Sequence, residues 1–173
     1  MSRRSQVAAG VLVYRRTNGL EVLLGHPGGP FWAKRDDGVW SIPKGLVESD
    51  DLLACAQREF LEETNLRLKG EFIPLRPVRQ KSGKTVHAFA IEANLDLSRS
   101  RSNSYQQEWP PGSGKFKNFP EVDRVAYFDL PTARIKILPY QLPYLAELSA
   151  MLGLSDTSTA EAQSLIGRVQ RPR

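Results

Sequence analysis

Arg58-Glu59-Phe60-Leu61-Glu62-Glu63 sets three carboxylates at positions i, i+3 and i+4. Helical spacing brings those positions to one face. Three like charges held that closely repel one another, and a divalent cation is the simplest species that neutralises them. The alternative is a solvated helix face, and the helical wheel argues against it. Leu52, Leu53, Ala56 and Phe60 form an apolar stripe about 100° wide, and Leu52 falls between Glu59 and Glu63. The acids therefore border the buried side of the helix, where partly desolvated carboxylates require a counter-charge. Leu61 falls on the far side of the wheel and has no role in this pattern.

The acids form an island in a basic chain. Glu48 to Glu63 carries a net charge of −5, whereas the whole chain of 173 residues is +5. A cation can occupy the island while surrounding Lys and Arg draw in an anion, and phosphate-rich ligands suit both. Hydrophobic content of 40% and charged content of 25% are ordinary globular values. One domain is expected over residues 1–154, followed by a frayed Ser/Thr/Gln-rich tail over residues 155–173. The single Cys55 precludes an intrachain disulfide and suits a reducing, cytoplasmic setting. Val7 to Val13 reads as a buried strand rather than a signal peptide, since Arg15-Arg16 follows at once. No apolar run approaches the roughly 20 residues that cross a bilayer, so no membrane association is expected.

Strands are expected at Val7–Tyr14, Glu21–Leu24, Trp40–Ile42, Glu71–Val78, Thr85–Ala93 and Val122–Phe128. Asn18-Gly19 is a hairpin signal between the first two, and Lys81-Ser82-Gly83-Lys84 turns between two later ones. Helices are expected from about Asp51 to Thr64 and from Tyr140 to Leu152, the latter on Leu142, Leu145, Leu148 and Leu152. Residues 25–39 and 94–120 read as Pro/Gly-rich loops. Mixed strands with two helices suggest an α/β sheet covered by helices on both faces.

The residues from Gly45 to Leu66 resemble the Nudix hydrolase signature, G-x5-E-x7-R-E-U-x-E-E-x-G-U, where U is apolar. Gly45 matches its opening glycine, and Arg58, Glu59, Phe60, Glu62, Glu63 and Leu66 match its second half. The box is one residue short, so its first glutamate becomes Asp50 or Asp51, and its second glycine is Asn65. Asn tolerates the left-handed conformation, so a helix stop is still expected there. Trp40-Ser41-Ile42-Pro43-Lys44-Gly45 and Glu108-Trp109-Pro110-Pro111-Gly112-Ser113-Gly114-Lys115 extend the likeness to a bacterial subgroup similar to dinucleoside tetraphosphate hydrolases. The resemblance implies a Nudix-type α/β/α sandwich with a mixed central sheet. It implies Mg²⁺ or Mn²⁺ at Gly45, Glu59, Glu62 and Glu63, one of these acids acting as base, and Arg58 bracing the loop by pairing with an acid.

Glu121, ahead of the last strand, is a candidate fourth acid, with Glu108 a weaker rival. Lys44 and Lys84 are candidates for contacting phosphate. Trp32 and Tyr105 are candidates for stacking a base, each competing with a plain core role. His26 and His87 lack the spacing of a zinc pair. The expected function is metal-dependent hydrolysis of a phosphoanhydride in a nucleoside diphosphate derivative, such as a dinucleoside polyphosphate or nucleoside triphosphate. The alternatives are a non-catalytic Nudix-fold module that binds nucleotide or RNA, an RNA 5′ pyrophosphohydrolase and a diphosphoinositol polyphosphate hydrolase. The chain carries no RNA-recognition motif, so a small nucleotide or polyphosphate is the expected partner rather than nucleic acid.

Overall fold

A computed structural model describes residues 6–48 and 51–154. The expected tail from residue 155 onward, and Asp50 in the box, lie outside them. The chain runs β1 (Val7–Arg15), β2 (Glu21–Pro27), β3 (Lys44–Leu46), α1 (Leu52–Thr64), β4 (Ile73–Pro74), β5 (Val78–Arg79), β6 (Thr85–Glu92), β7 (Ser104–Glu108), β8 (Phe116–Pro120), β9 (Val122–Asp129), α2 (Leu130–Lys136) and α3 (Leu142–Met151). Short 3₁₀ turns occupy Leu97–Arg99 and Pro139–Gln141.

Strand β1 is the axis. Its run Val-Ala-Ala-Gly-Val-Leu-Val-Tyr is apolar at every position, the pattern of a strand covered on both faces. Successive side chains alternate between those faces. Ala9, Val11 and Val13 pack with Cys55, Ala56 and Phe60 of α1. Leu12 and Tyr14 pack with Trp40, Ala133 of α2, and Tyr144, Leu145 and Leu148 of α3. The result is the helix–sheet–helix sandwich expected from sequence. The main sheet runs β4-β6-β1-β2-β9, with β3 added to β1 and β5 to β6. Only β1 and β6 are parallel among these pairs, so the sheet is mixed.

Four sequence expectations require correction. Trp40–Ile42 does not form a strand; it makes single bridges, Ser41 to Gly25 and Trp40 to Ile137, and the strand proper begins at Lys44. Glu71–Val78 pairs only at Ile73–Pro74 and at the β5 end, because Pro74 and Pro77 interrupt the ladder. Residues 94–120 are not one loop. They hold the 3₁₀ turn and the β7–β8 hairpin, which pairs Tyr105 with Phe119 and Glu108 with Phe116. Finally, α2 was not expected. Asp129 caps it by accepting from the Thr132 N–H at 2.8 Å, and Pro131 fits its first turn.

Helix α1 starts where Asp51 accepts from the Ala54 N–H at 2.7 Å. It stops at Asn65, whose φ of 58° is left-handed and whose N–H returns to the Leu61 carbonyl at 2.7 Å. Asn is tolerated there, although a β-carbon carries a cost that glycine avoids. Leu61 lines a shallow groove with Phe60, Leu66 and Leu68, which accounts for an apolar side chain off the main stripe. Replacing Asn65 with Ala should lower unfolding free energy by about 1 kcal/mol, while Asn65→Gly should hold or raise it. Urea denaturation of the two variants beside the wild type measures both.

Candidate active site

The acids of α1 meet the loop through a close backbone approach. Glu59 lies directly against Gly45: a β-carbon built on Gly45 would stand 1.9 Å from the Glu59 Cδ. No other residue type fits there without moving the carboxylate. One turn on, the Glu63 Oε2 accepts the backbone N–H of Lys44 at 3.2 Å. Two successive residues at the start of β3, Lys44 and Gly45, are thus matched to two acids spaced by one helical turn.

Burial sets the electrostatics. Desolvation pushes the Glu63 carboxyl up to about 8, against the opposing pull of Lys44, with Glu59 and Glu121 adding repulsion. Burial also raises Glu59, with the charge of Glu62 adding to it and Arg58 countering it. The Lys44 ammonium is pushed down by burial, while Glu63, Glu59 and Glu121 act to hold it charged. Glu62 is more exposed, at 42%. The Arg58 Nη1 sits 2.9 Å from Glu59 Oε1 and 3.5 Å from Glu62 Oε1. Arg58 thus holds two acids of the triad on one guanidinium. Among the described residues, no three acidic, histidine or cysteine side chains close into one coordination shell. The Gly45 carbonyl is turned toward the Cys55 thiol at 3.7 Å.

Glu121, between β8 and β9, is held at this site through backbone. The Asn103 N–H donates to the Glu62 carbonyl at 2.8 Å, and the Glu121 N–H donates to the Asn103 carbonyl at 2.9 Å. The β7–β8 arm is therefore tied to the last turn of α1 at the point where it delivers Glu121. On its other side the Glu121 carbonyl accepts from the Gly28 N–H at 3.0 Å. Gly28 is required there, since its β-carbon would lie 1.8 Å from the Pro120 carbonyl oxygen.

A cavity of about 220 Å³ opens beside these acids. Glu63, Glu121 and Lys44 line it together with the apolar side chains of Trp32, Val39, Ile42 and Leu138. Four candidates far apart in sequence, Trp32, Lys44, Glu63 and Glu121, thus share one cavity. A larger groove of about 790 Å³ runs along β9 past Arg101, Asp123 and Arg124, but contains none of the α1 acids; the chemistry favours the smaller cavity.

The remaining candidates divide. Burial lowers the Lys84 ammonium, and the Lys44 charge adds to that. Tyr105 does not line the cavity; its hydroxyl donates to the Gly28 carbonyl at 3.1 Å and clamps the arm to the loop that carries Trp32. Glu108 accepts from the Gly114 N–H at 2.7 Å and closes the hairpin turn. His26 is fully buried, with Nδ1 at 2.7 Å from Asp123 and Nε2 at 2.6 Å from the Arg35 carbonyl, a structural hydrogen-bonding residue. Sequence reasoning missed Gln141, Asn103 and Gly28. A glycine pair at 28–29 was visible as a turn, whereas its packing partner, some 90 residues away, was not.

The carboxylates gathered on a loop–helix junction and the mixed sheet behind them can be set against known proteins. No curated protein matches the chain. Among solved structures, a C. elegans Ap4A hydrolase binary complex superposes with a TM-score of 0.61 at 22% identity, covering 84% of this chain and 98% of that one. A mutT/nudix family protein from Listeria innocua gives 0.59 at 16% identity, covering 87% and 96%. The NUDIX domain of Shewanella oneidensis NrtR complexed with ADP ribose gives 0.58 at 14% identity, covering 86% and 90%. At these identities the likeness is one of fold. The family model described as NUDIX domain matches residues 4–147, nearly the whole of the described chain, so this protein belongs to the Nudix hydrolase family.

Proposed function

We propose that the protein hydrolyses a phosphoanhydride bond in a nucleoside diphosphate derivative, with a dinucleoside polyphosphate or a nucleoside triphosphate as the favoured substrate. The observation that carries this reading is the cavity shared by Glu63, Glu121 and Lys44 with the apolar face of Trp32. It offers a cation and acids for the phosphates beside an aromatic wall for the base.

The donor set fits Mg²⁺ or Mn²⁺. Glu59, Glu62 and Glu63 offer only carboxylate oxygens, as hard cations prefer. Burial raises the proton affinity of Glu59 and Glu63 despite Arg58 and Lys44, and a bound cation would offset that desolvation. When bound, such a cation offsets phosphate charge and acidifies water. Lys44 binds and orients the diphosphate. Trp32 stacks the base and excludes water from one side. Glu63 lines the cavity beside Lys44 and, as a carboxylate when the cation is bound, is suited to take the proton from the attacking water. The water oxygen forms a new bond to phosphorus as the anhydride P–O bond breaks, and the leaving phosphate carries away the bond's electron pair. Glu121 supplies a second acid to the cavity and, with Glu63 and Glu59, acts to hold Lys44 charged against its burial.

Four outcomes test the reading. Glu59→Gln and Glu63→Gln should each lower kcat by about 10²–10⁴-fold on Ap4A or ATP with Mg²⁺, and EDTA should abolish wild-type turnover until Mg²⁺ is restored. Product analysis over a panel of nucleoside polyphosphates identifies the bond cut; wild-type turnover of none of them would reject the proposal. Trp32→Ala should raise KM about tenfold or more with a smaller effect on kcat, because stacking contributes roughly 1–3 kcal/mol.

Glu63 also makes the metal-free protein sensitive to pH. Its carboxyl titrates about 8 when folded and near 4.5 when unfolded, so its favourable contribution is complete below pH 4.5 and is lost as pH rises to 8. In EDTA, Glu63→Gln should therefore raise Tm at pH 8 and leave it nearly unchanged at pH 4.5. Wild-type protein at pH 7 should release a proton on binding Mg²⁺, and Glu63→Gln should not.

A further inference from the structure

Gln141 sits in the 3₁₀ turn before α3, fully buried, and its amide uses all its polar atoms on one short segment and its neighbour. The Gln141 Oε1 accepts the Ile42 N–H at 3.0 Å. Its Nε2 donates to Ser41 Oγ and to the Tyr140 hydroxyl, both at 2.9 Å. Ser41 Oγ in turn donates to the Ile42 carbonyl at 2.8 Å. Gln141 thus takes the N–H of Ile42 directly and its carbonyl through one hydroxyl. It does for Ile42 what a neighbouring strand does elsewhere, at a point where no ladder partner exists.

The segment it holds leads straight into the site. Ser41 exchanges hydrogen bonds with Gly25 of β2, the Pro43 carbonyl accepts from Val11 of β1, and the Lys44 N–H goes to Glu63. Each residue from Ser41 to Lys44 is held by contacts from neighbouring elements, and among the described hydrogen bonds Gln141 is the only side chain that accepts the Ile42 N–H. Ser41, Ile42 and Lys44 all line the cavity that also holds Glu63 and Glu121. A buried amide whose removal leaves a strand-like N–H without an acceptor allows that segment to shift. Displacements of about 1 Å at a catalytic group cost on the order of 10²-fold in rate.

We propose that Gln141 is a positioning residue for the hydrolytic reaction: through the backbone of Ile42 it sets where Lys44 meets Glu63 and the substrate phosphates. Its action is on the placement of Lys44, 97 residues away in sequence, rather than on substrate itself. The proposal rests on the function inferred above.

The test compares Gln141→Met, which keeps the volume and removes both hydrogen-bonding groups, with Tyr144→Phe. Tyr144 is equally buried, lies on α3, and its hydroxyl donates to the Val86 carbonyl away from the site. Both variants should lower Tm. At 15 °C, with folding verified by near-UV circular dichroism, Gln141→Met should lose about tenfold to a hundredfold in kcat on Ap4A or ATP with Mg²⁺, with KM changed much less, while Tyr144→Phe keeps kcat. Amide hydrogen exchange at Ile42 and Lys44 should quicken in Gln141→Met and stay at the wild-type rate in Tyr144→Phe. A Gln141→Met enzyme with wild-type kcat, or with unchanged exchange at both amides, overturns the proposal, as does equal loss of kcat in the two variants. Exchange is read without turnover, so an inactive wild type would reject the hydrolase reading while the exchange comparison still decides the placement of Ile42 and Lys44.

Discussion

A buried carboxylate must find a partner or give up its charge, and the architecture around Glu63 follows from that constraint. Burial pushes its carboxyl up to about 8 against the pull of the Lys44 charge, and it accepts the Lys44 backbone N–H. The loop can approach that closely only because the next residue is Gly45, against which Glu59 lies. Loop and helix are therefore registered to each other by the Lys44–Glu63 hydrogen bond, the Cys55 thiol on the Gly45 carbonyl and the steric contact of Gly45 with Glu59. Strand β1 holds the loop from behind, pairing Gly10 with Lys44 and Ala9 with Gly45. Moving any of these parts would leave a desolvated acid without its N–H, a state costing a few kcal/mol.

The rest of the site is assembled by devices that act on backbone. Asn103 bridges Glu62 to Glu121, so the β7–β8 arm is anchored to the acid helix before it presents its own acid. Tyr105 and Gly28 join the same arm to the loop that carries Trp32. Gln141 fixes the approach to Lys44 from the opposite side of the sheet. Lys44, the Trp32 wall and the acids of α1 thus lie on separate elements, and their mutual geometry depends on rigid connections between them. Such a division leaves the cavity wall free to vary in shape while the acids stay in place, consistent with function residing in sites carried by a shared fold.

Arg58 illustrates how charge is managed on an exposed helix edge. It holds Glu59 and Glu62 on one guanidinium and lies 3.8 Å from Cys55 Sγ. Half-exposed pairs of this kind add little to stability in water. Their effect here is on the distribution of negative charge over the triad, leaving Glu63 the acid with the least help from its own helix and the greatest dependence on Lys44. No helix of the described residues is long and apolar enough to cross a membrane.

The sequence alone determined the parts governed by local periodicity and short-range chemistry. These were the unbroken apolar run of β1, the hairpin at Asn18-Gly19, the face of α1 with its three acids, and the left-handed stop at Asn65. Each depends on residues within a few positions of one another, so spacing carries the information. The β7–β8 hairpin was hidden because its strands are polar and exposed, without the alternation that burial imposes, and α2 because seven residues hold barely two turns. The meeting of Trp32, Lys44, Glu63 and Glu121 in one cavity, and the arrival of Gln141 beneath Ile42, were decided only by tertiary structure. These contacts join residues up to 99 positions apart, and no local pattern encodes which distant backbone a buried amide will satisfy.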